Sequence, residues 1–148
     1  RFFILFHYIM KEDEILALIN QNLEIDLHST PQFHRLDGLD HHNKICCEIK
    51  GRKCNSDKYD TTMIGFDKIQ YWKKIYTDYK LLLIFEFLDG IFYYFYDKYE
   101  DHKVALGGRC DRGKLEQKHY CFISKTFLNK LCLVNKYDKS KIQTEQSQ

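Results

Sequence analysis

The sequence predicts an α/β or α+β domain with a central mixed β-sheet flanked by helices. Residues 11–23 carry an apolar stripe at helical spacing behind an acidic start. Residues 33–39 and 44–50 predict two strands joined by a polar turn. Residues 81–88 form a continuous apolar run, which is typical of a buried central strand. The order helix, strand pair, helix, strands indicates the fold class.

The other elements are predicted from local composition and periodicity. They are a loop at 51–60, a helix at 61–79, a hairpin turn at Asp89-Gly90, a strand at 91–96, a loop at 104–118, a strand at 119–123 and a short helix at 126–133. A chain of 148 residues is long enough to bury one core. We expect one domain over residues 1–135, with 1–9 either an extension or an N-terminal element, and a disordered tail at 136–148.

Composition limits the classes of function. Hydrophobic residues make up 44% of the chain and aromatic residues 16%, which is typical of a folded protein. The net charge of +2 excludes a histone-like polycation, so any nucleic-acid surface must be local. The apolar segment 2–9 is too short to cross a bilayer, and no membrane partner is expected.

Residue bias and cysteine usage indicate the biological setting. Phe, Tyr, Ile, Lys and Asp are abundant and there is one proline, as in AT-rich coding sequences, so a viral or phage source is expected. The six cysteines include no Cys-x-x-Cys pair, and we expect reduced thiols in an intracellular compartment, the cytoplasm or nucleus of a host. Cys46 and Cys47 should face opposite sides of their strand.

The candidate chemistry lies in the predicted strand pair. Glu48 and Lys50 are two positions apart, and alternate side chains of a strand point to the same face. Asp37 ends the preceding strand, one hairpin away. Two carboxylates and an ammonium group would then converge, which suits a divalent metal and a hydrolytic water. Alternatively, Glu48 and Lys50 form the exposed face of an edge strand, and Asp37-Gly38 is only a turn.

The pattern Asp37-Gly38-Leu39 followed by Glu48-Ile49-Lys50 resembles the signature of the PD-(D/E)xK nuclease superfamily. The helix before these strands and the long helix after them follow that family's order of elements. Leu36 stands in the place of the proline of the family pattern. The resemblance covers residues 11–96 and implies a restriction-endonuclease-like core within a single nuclease-like domain.

The resemblance also implies metal-dependent hydrolysis of phosphodiester bonds. Asp37, Glu48 and the backbone carbonyl of Ile49 would bind Mg²⁺, for which Mn²⁺ is expected to substitute. Lys50 would orient or deprotonate the attacking water and stabilise the developing phosphate charge. The catalytic residues would thus be Asp37, Glu48 and Lys50, and the products would carry 5′-phosphate and 3′-hydroxyl ends.

Five further residues are candidates for the same site. Asp40 is an alternative carboxylate ligand from the turn. Glu12 lies in line with the apolar stripe of the first helix and Glu14 lies off it; their charge could serve the site or simply favour a helix start. Lys68 and Gln70 could contact DNA phosphate or the active site, or form a solvated helix face.

Two basic segments are candidates for DNA binding. Arg52 and Lys53 directly follow the Glu-x-Lys strand. Arg109, Arg112 and Lys114 lie in a glycine-containing segment whose backbone amides could approach a phosphate. The other interpretation of the second segment is an ordinary solvated loop.

Two further features leave alternatives open. A zinc site from Cys110, His119 and Cys121 is conceivable, although their spacing fits no common ligand pattern. Glu86 lies in an apolar strand, where an unpaired carboxylate is costly, so it should be at a sheet edge or paired with a cation.

The sequence therefore predicts a small Mg²⁺-dependent DNA endonuclease for DNA processing, repair, resolution or restriction. One alternative is a non-catalytic nucleic-acid-binding or structural protein of the same fold. Another is a zinc-stabilised interaction module. DNA is the expected partner, and a homodimer formed through the apolar hairpin at 81–96 is one option.

Overall fold

The computed structural model describes residues 10–109 and 116–131. Within these ranges the elements are α1 (Glu12–Leu23), β1 (His28–Ser29), β2 (Gly38–Asp40), β3 (Ile45–Gly51), β4 (Thr61–Gly65), α2 (Phe66–Ile75), β5 (Lys80–Phe87), β6 (Gly90–Phe95), β7 (Lys103–Arg109), β8 (Glu116–Ser124), a 3-10 turn (Lys125–Phe127) and β9 (Asn129–Lys130). The predictions for residues 1–9 and 136–148 lie outside the described residues. Neither helix in the described part has the length and apolar character that a bilayer crossing requires.

Two sheets organise the fold. The larger sheet has the strand order β1-β2-β3-β5-β6-β9, in which β3 and β5 run parallel and the other neighbours run antiparallel. The smaller sheet is antiparallel, with the order β4-β8-β7. The chain is thus an α/β protein with a mixed sheet, as the sequence predicts.

The larger sheet is covered on both faces. On one face, Ile15 and Ile19 of α1 pack in a cluster with Cys47 and Ile84. On the other face, α2 and the smaller sheet form a second cluster, which includes Cys46. Cys46 and Cys47 thus face opposite sides as predicted, and the described cysteines are free thiols. Because both faces are buried, β5 is apolar along most of its length.

Three predicted elements are wrong. Residues 61–65 form a strand because β4 buries alternate side chains and pairs with β8, and the helix starts only at Phe66. Residues 103–109 form β7, not a loop, because they pair with β8 along their whole length. Within the predicted helix at 126–133, the described residues form the end of a 3-10 turn and a short strand, which extends the sheet beside β6, and residues 132 and 133 lie outside the described residues.

Two boundaries near the candidate site also differ. Residues 33–37 form turns and bends, so β2 starts only at Gly38. Asp37 therefore precedes its strand and does not end it. The hairpin between β5 and β6 turns at Leu88-Asp89, one residue earlier than predicted, since Gly90 already pairs within the sheet.

Candidate active site

Asp37 is held against β3 by its backbone and by its side chain. Its N–H donates to the carbonyl of Cys47 at 2.9 Å, and its Oδ2 accepts the N–H of Ile49 at 2.7 Å. The next residue, Gly38, allows this close approach, because a Cβ there would lie 2.7 Å from Sγ of Cys47. These contacts place the Asp37 carboxylate beside the middle of β3.

Glu48 is the buried centre of the site, with only 1% of its side chain exposed. Nζ of Lys50, two residues along β3, lies 3.3 Å from Oε2 of Glu48. Nζ of Lys68 reaches the same oxygen from α2 at 3.5 Å and also donates to the carbonyl of Arg35. The structure thus brings Glu48 and Lys50 together, and α2 supplies a second ammonium group.

Carboxyl groups are crowded at this point. Burial, followed by the charge of Asp37, raises the pKa of Glu48 to about 7, although Lys50 and Lys68 act in the opposite direction. Burial and Asp37 also raise the pKa of Glu12, at the start of α1. The Asp37 carboxylate thus acts on the pKa of both glutamates. The structure therefore brings the predicted accessory residue Glu12 to Asp37.

One oxygen of the site lacks a partner. Oε1 of Glu48 is buried and accepts no hydrogen bond from the described residues. A buried carboxylate oxygen without a donor is costly unless a cation meets it. This oxygen and the Asp37 carboxylate are hard oxygen donors of the kind that Mg²⁺ prefers, and the backbone carbonyl of Ile49 stays a predicted third ligand. Within residues 10–109 and 116–131, no group of three or more His, Cys, Asp or Glu side chains is arranged to hold a metal.

Asp40 and Glu14 take part in local structure. Asp40 is buried and accepts hydrogen bonds from the N–H of Asp26 at 2.8 Å and from the N–H and side-chain amide of Asn43 at 2.9 and 2.7 Å. Burial alone would raise its pKa, but these bonds lower it. Asp40 thus organises the turn between β2 and β3, and its role as the alternative ligand stays a prediction. Glu14 accepts the N–H of Lys11 at 3.1 Å, at the start of α1.

Gln70 and Glu86 lie apart from the Asp37–Glu48 contact. Gln70 is exposed on α2, where it lines an open groove together with Arg35 and Tyr71. Glu86 belongs to an interior strand, and its Oε2 accepts the N–H of Met10 at 3.0 Å. The sheet-edge alternative for Glu86 is therefore wrong, and within residues 10–109 and 116–131 its carboxylate is met by a backbone amide rather than by a cation.

Arg52 is anchored within the protein. Its Nε donates to Oγ1 of Thr62 at 3.2 Å, and its other nitrogens donate to the carbonyls of Met63 and Gly51. Burial lowers its pKa. Lys53 is exposed directly beyond it. Of the two, Lys53 is thus the cation that is free to meet a ligand.

The second basic segment and the zinc candidates are only partly described. Three of their residues lie outside the described part of the chain: Cys110, Arg112 and Lys114. Arg109 ends β7. His119 is exposed on β8, whereas Cys121 is buried. The burial of Cys121 in the core gives this thiol a packing role in the described structure.

Sequence patterns did not indicate the role of the segment before Asp37. The carbonyl of Arg35 holds Lys68, and the ring of His34 accepts the N–H of Leu36 at 3.1 Å. Pro31 was the available signal, because proline favours a turn.

Comparisons of the chain with protein-family models, curated proteins and solved structures found no match. The function must therefore be argued from the geometry of the site.

Proposed function

We propose that this chain is a metal-dependent DNA endonuclease of the PD-(D/E)xK type with a restriction-endonuclease-like core. The observation that carries the proposal is that Asp37 and Lys50 both act on the buried carboxylate of Glu48, whose Oε2 lies 3.3 Å from Nζ of Lys50 and whose Oε1 has no hydrogen-bond partner among the described residues. The order α1, β1–β3, α2, β5 is interrupted only by β4. It agrees with the helix–strand–strand–strand–helix–strand order of that superfamily.

Each side chain of the site has a distinct task in this proposal. Mg²⁺, held by Asp37, Glu48 and the Ile49 carbonyl, would supply a water of lowered pKa and neutralise phosphate charge when bound. The Lys50 side chain is 37% exposed, so it can reach a bound substrate. It orients the attacking water and stabilises the charge that develops on the phosphate. Lys68 favours the ionised form of Glu48. The Ile49 N–H fixes the Asp37 carboxylate.

The proposed substrate is DNA. Lys53 is exposed next to the strand that carries Glu48 and Lys50, so it can contact a phosphate that flanks the cleaved bond. Arg109, Arg112 and Lys114 stay a second predicted basic segment for contacts with DNA. The reduced, buried thiols of Cys46 and Cys47 suit a host cytoplasm or nucleus.

The test is cleavage of supercoiled plasmid and of labelled linear, single-stranded and branched DNA, with Mg²⁺, Mn²⁺ or EDTA. Wild type is compared with Glu48→Ala and Lys50→Ala, and Glu100→Ala, an exposed glutamate before β7, is the matched control. We expect metal-dependent cleavage that Glu100→Ala retains and that each site variant reduces by about 10²-fold or more.

Other outcomes separate the alternatives. DNA binding without cleavage under any condition would overturn the nuclease and leave a non-catalytic member of the same fold. Absence of both binding and cleavage, with zinc found by metal analysis, would favour the zinc-stabilised interaction module.

A further inference from the structure

A cavity of about 410 Å³ lies where the parallel strands β3 and β5 end. Arg52, which follows β3, and Phe87, the last residue of β5, both line it. Ligands of α/β proteins commonly bind outside the carboxyl ends of parallel strands. The volume of this cavity is within the range of small-molecule sites.

The lining of this cavity is mostly apolar and aromatic, with a few polar groups. Tyr59, Met63, Phe87 and Phe122 supply ring and thioether surface, and Asn55 supplies an amide. Asn55 is exposed, and its backbone carbonyl accepts the N–H of Lys58 at 3.2 Å. An amide offers both a donor and an acceptor, which matches the edge of a nucleobase.

The walls of the cavity are held in place before any ligand arrives. Ser56 bonds to the Asp89 carboxylate through its N–H at 2.9 Å and its hydroxyl at 2.6 Å. The N–H of Leu88 donates to the carbonyl of Cys54 at 3.0 Å. Together with the anchored guanidinium of Arg52, these bonds tie the loop 52–60 to the sheet.

The cavity is close to the candidate active site. Glu48 and Lys50 share one face of β3, and Arg52 follows the end of that strand two residues after Lys50. Two residues of extended chain span about 7 Å, so the cavity begins within one nucleotide's length of Lys50. Lys125 lines its rim and lies 3.7 Å from Asp60, and Lys53 is exposed nearby.

We propose that this cavity receives an unpaired nucleobase of the DNA strand whose phosphate lies at Lys50. The inference rests on the proposed function and specifies its substrate as DNA with a flipped, mismatched or single-stranded nucleotide. The base stacks on the ring of Tyr59, whose centroid lies 5.4 Å from Nζ of Lys58. The Asn55 amide hydrogen-bonds the edge of the base.

Binding is tested without catalysis, in EDTA, with dAMP and dTMP and with a single-stranded oligonucleotide that contains fluorescent 2-aminopurine. Tyr59 is 60% exposed, so Tyr59→Ala should leave the fold intact, which circular dichroism verifies. Tyr99→Ala is a matched control, since Tyr99 is 87% exposed and Lys98 lies 5.3 Å from its ring. We expect Tyr59→Ala to weaken binding about 10-fold or more, while Tyr59→Phe and Tyr99→Ala bind like wild type.

Cleavage then tests the link to the active site. Wild type should cut a duplex with one unpaired nucleotide faster than a fully paired duplex, and Tyr59→Ala should lose that preference. Equal binding by Tyr59→Ala and Tyr99→Ala would overturn the base cavity, even if the enzyme cuts DNA. Base binding that depends on Tyr59 in a protein that never cuts would overturn the nuclease but support the cavity as a nucleobase site.

Discussion

Replacing Glu48 by glutamine tests the electrostatics of the candidate site without requiring any catalytic activity. Glutamine has the shape of the protonated acid, and it can turn its oxygen toward Lys50 and Lys68, whose Nζ atoms lie 3.3 and 3.5 Å from Oε2. The substitution therefore removes one ionisable group and conserves the volume of a side chain that is 1% exposed. Any change in pH dependence can be assigned to the titration of Glu48.

The magnitude follows from the pKa of this carboxyl. Burial and Asp37 raise the pKa of Glu48 from an ordinary 4.5 to about 7 in the folded protein. The folded state therefore binds the proton more tightly than the unfolded state. The stabilisation that protonated Glu48 gives to the folded state is complete below pH 4.5 and is lost as the pH rises to about 7. At 1.36 kcal/mol per pKa unit, the loss is about 3 kcal/mol.

The assay is urea unfolding in EDTA at pH 5 and pH 8. Because other groups also titrate in this range, the measured quantity is the difference in unfolding free energy between each variant and wild type. The unfolding free energy of Glu48→Gln minus that of wild type should be about 3 kcal/mol higher at pH 8 than at pH 5. Glu100→Gln should follow wild type. Identical pH profiles for Glu48→Gln and wild type would refute a raised pKa at Glu48.

Magnesium provides a second measurement on the same proteins. Binding to the folded state alone stabilises it by about 2.7 kcal/mol at a concentration 100-fold above Kd. At pH 8, Mg²⁺ should therefore stabilise wild type, and the effect should be much smaller in Glu48→Gln. Equal stabilisation of both proteins would place the metal elsewhere.

Three further predictions concern neighbouring residues. Lys68→Met removes one of the two ammonium groups on Glu48 and should raise the pKa of its carboxyl by about one unit, as measured by a carbon-13 NMR titration. Arg52→Ala breaks the hydrogen bonds that hold β4 to the end of β3 and should cost about 2–3 kcal/mol in urea unfolding, whereas Lys53→Ala should cost less than about 0.5 kcal/mol. Gly38→Ala places a Cβ 2.7 Å from Sγ of Cys47 and should lower the unfolding free energy by about 1–3 kcal/mol; full stability of this variant would mean that β2 and β3 can separate at no cost.

Sequence periodicity predicted α1, β3 and β5 because each has a simple relation to its surroundings. α1 has one buried stripe, and β5 is covered on both faces, so burial appears directly in the pattern of apolar residues. β4 and β7 were missed because they belong to the second sheet, where Met63 and Leu106 remain exposed. Their strand state depends on pairing with β8, a partner that is distant in sequence.

The spacing of Glu48 and Lys50 is enough to place them on one face, since the two-residue period of a strand is a local property. Three contacts could be found only in the folded chain: the Ile49 N–H binds Asp37, Lys68 reaches Glu48, and Asp40 is engaged in a turn. The raised pKa of Glu48 and the cavity beyond Arg52 also belong to the tertiary structure. Each depends on long-range packing of α2, the smaller sheet and the loop 52–60 against β3 and β5, which no spacing along the chain encodes.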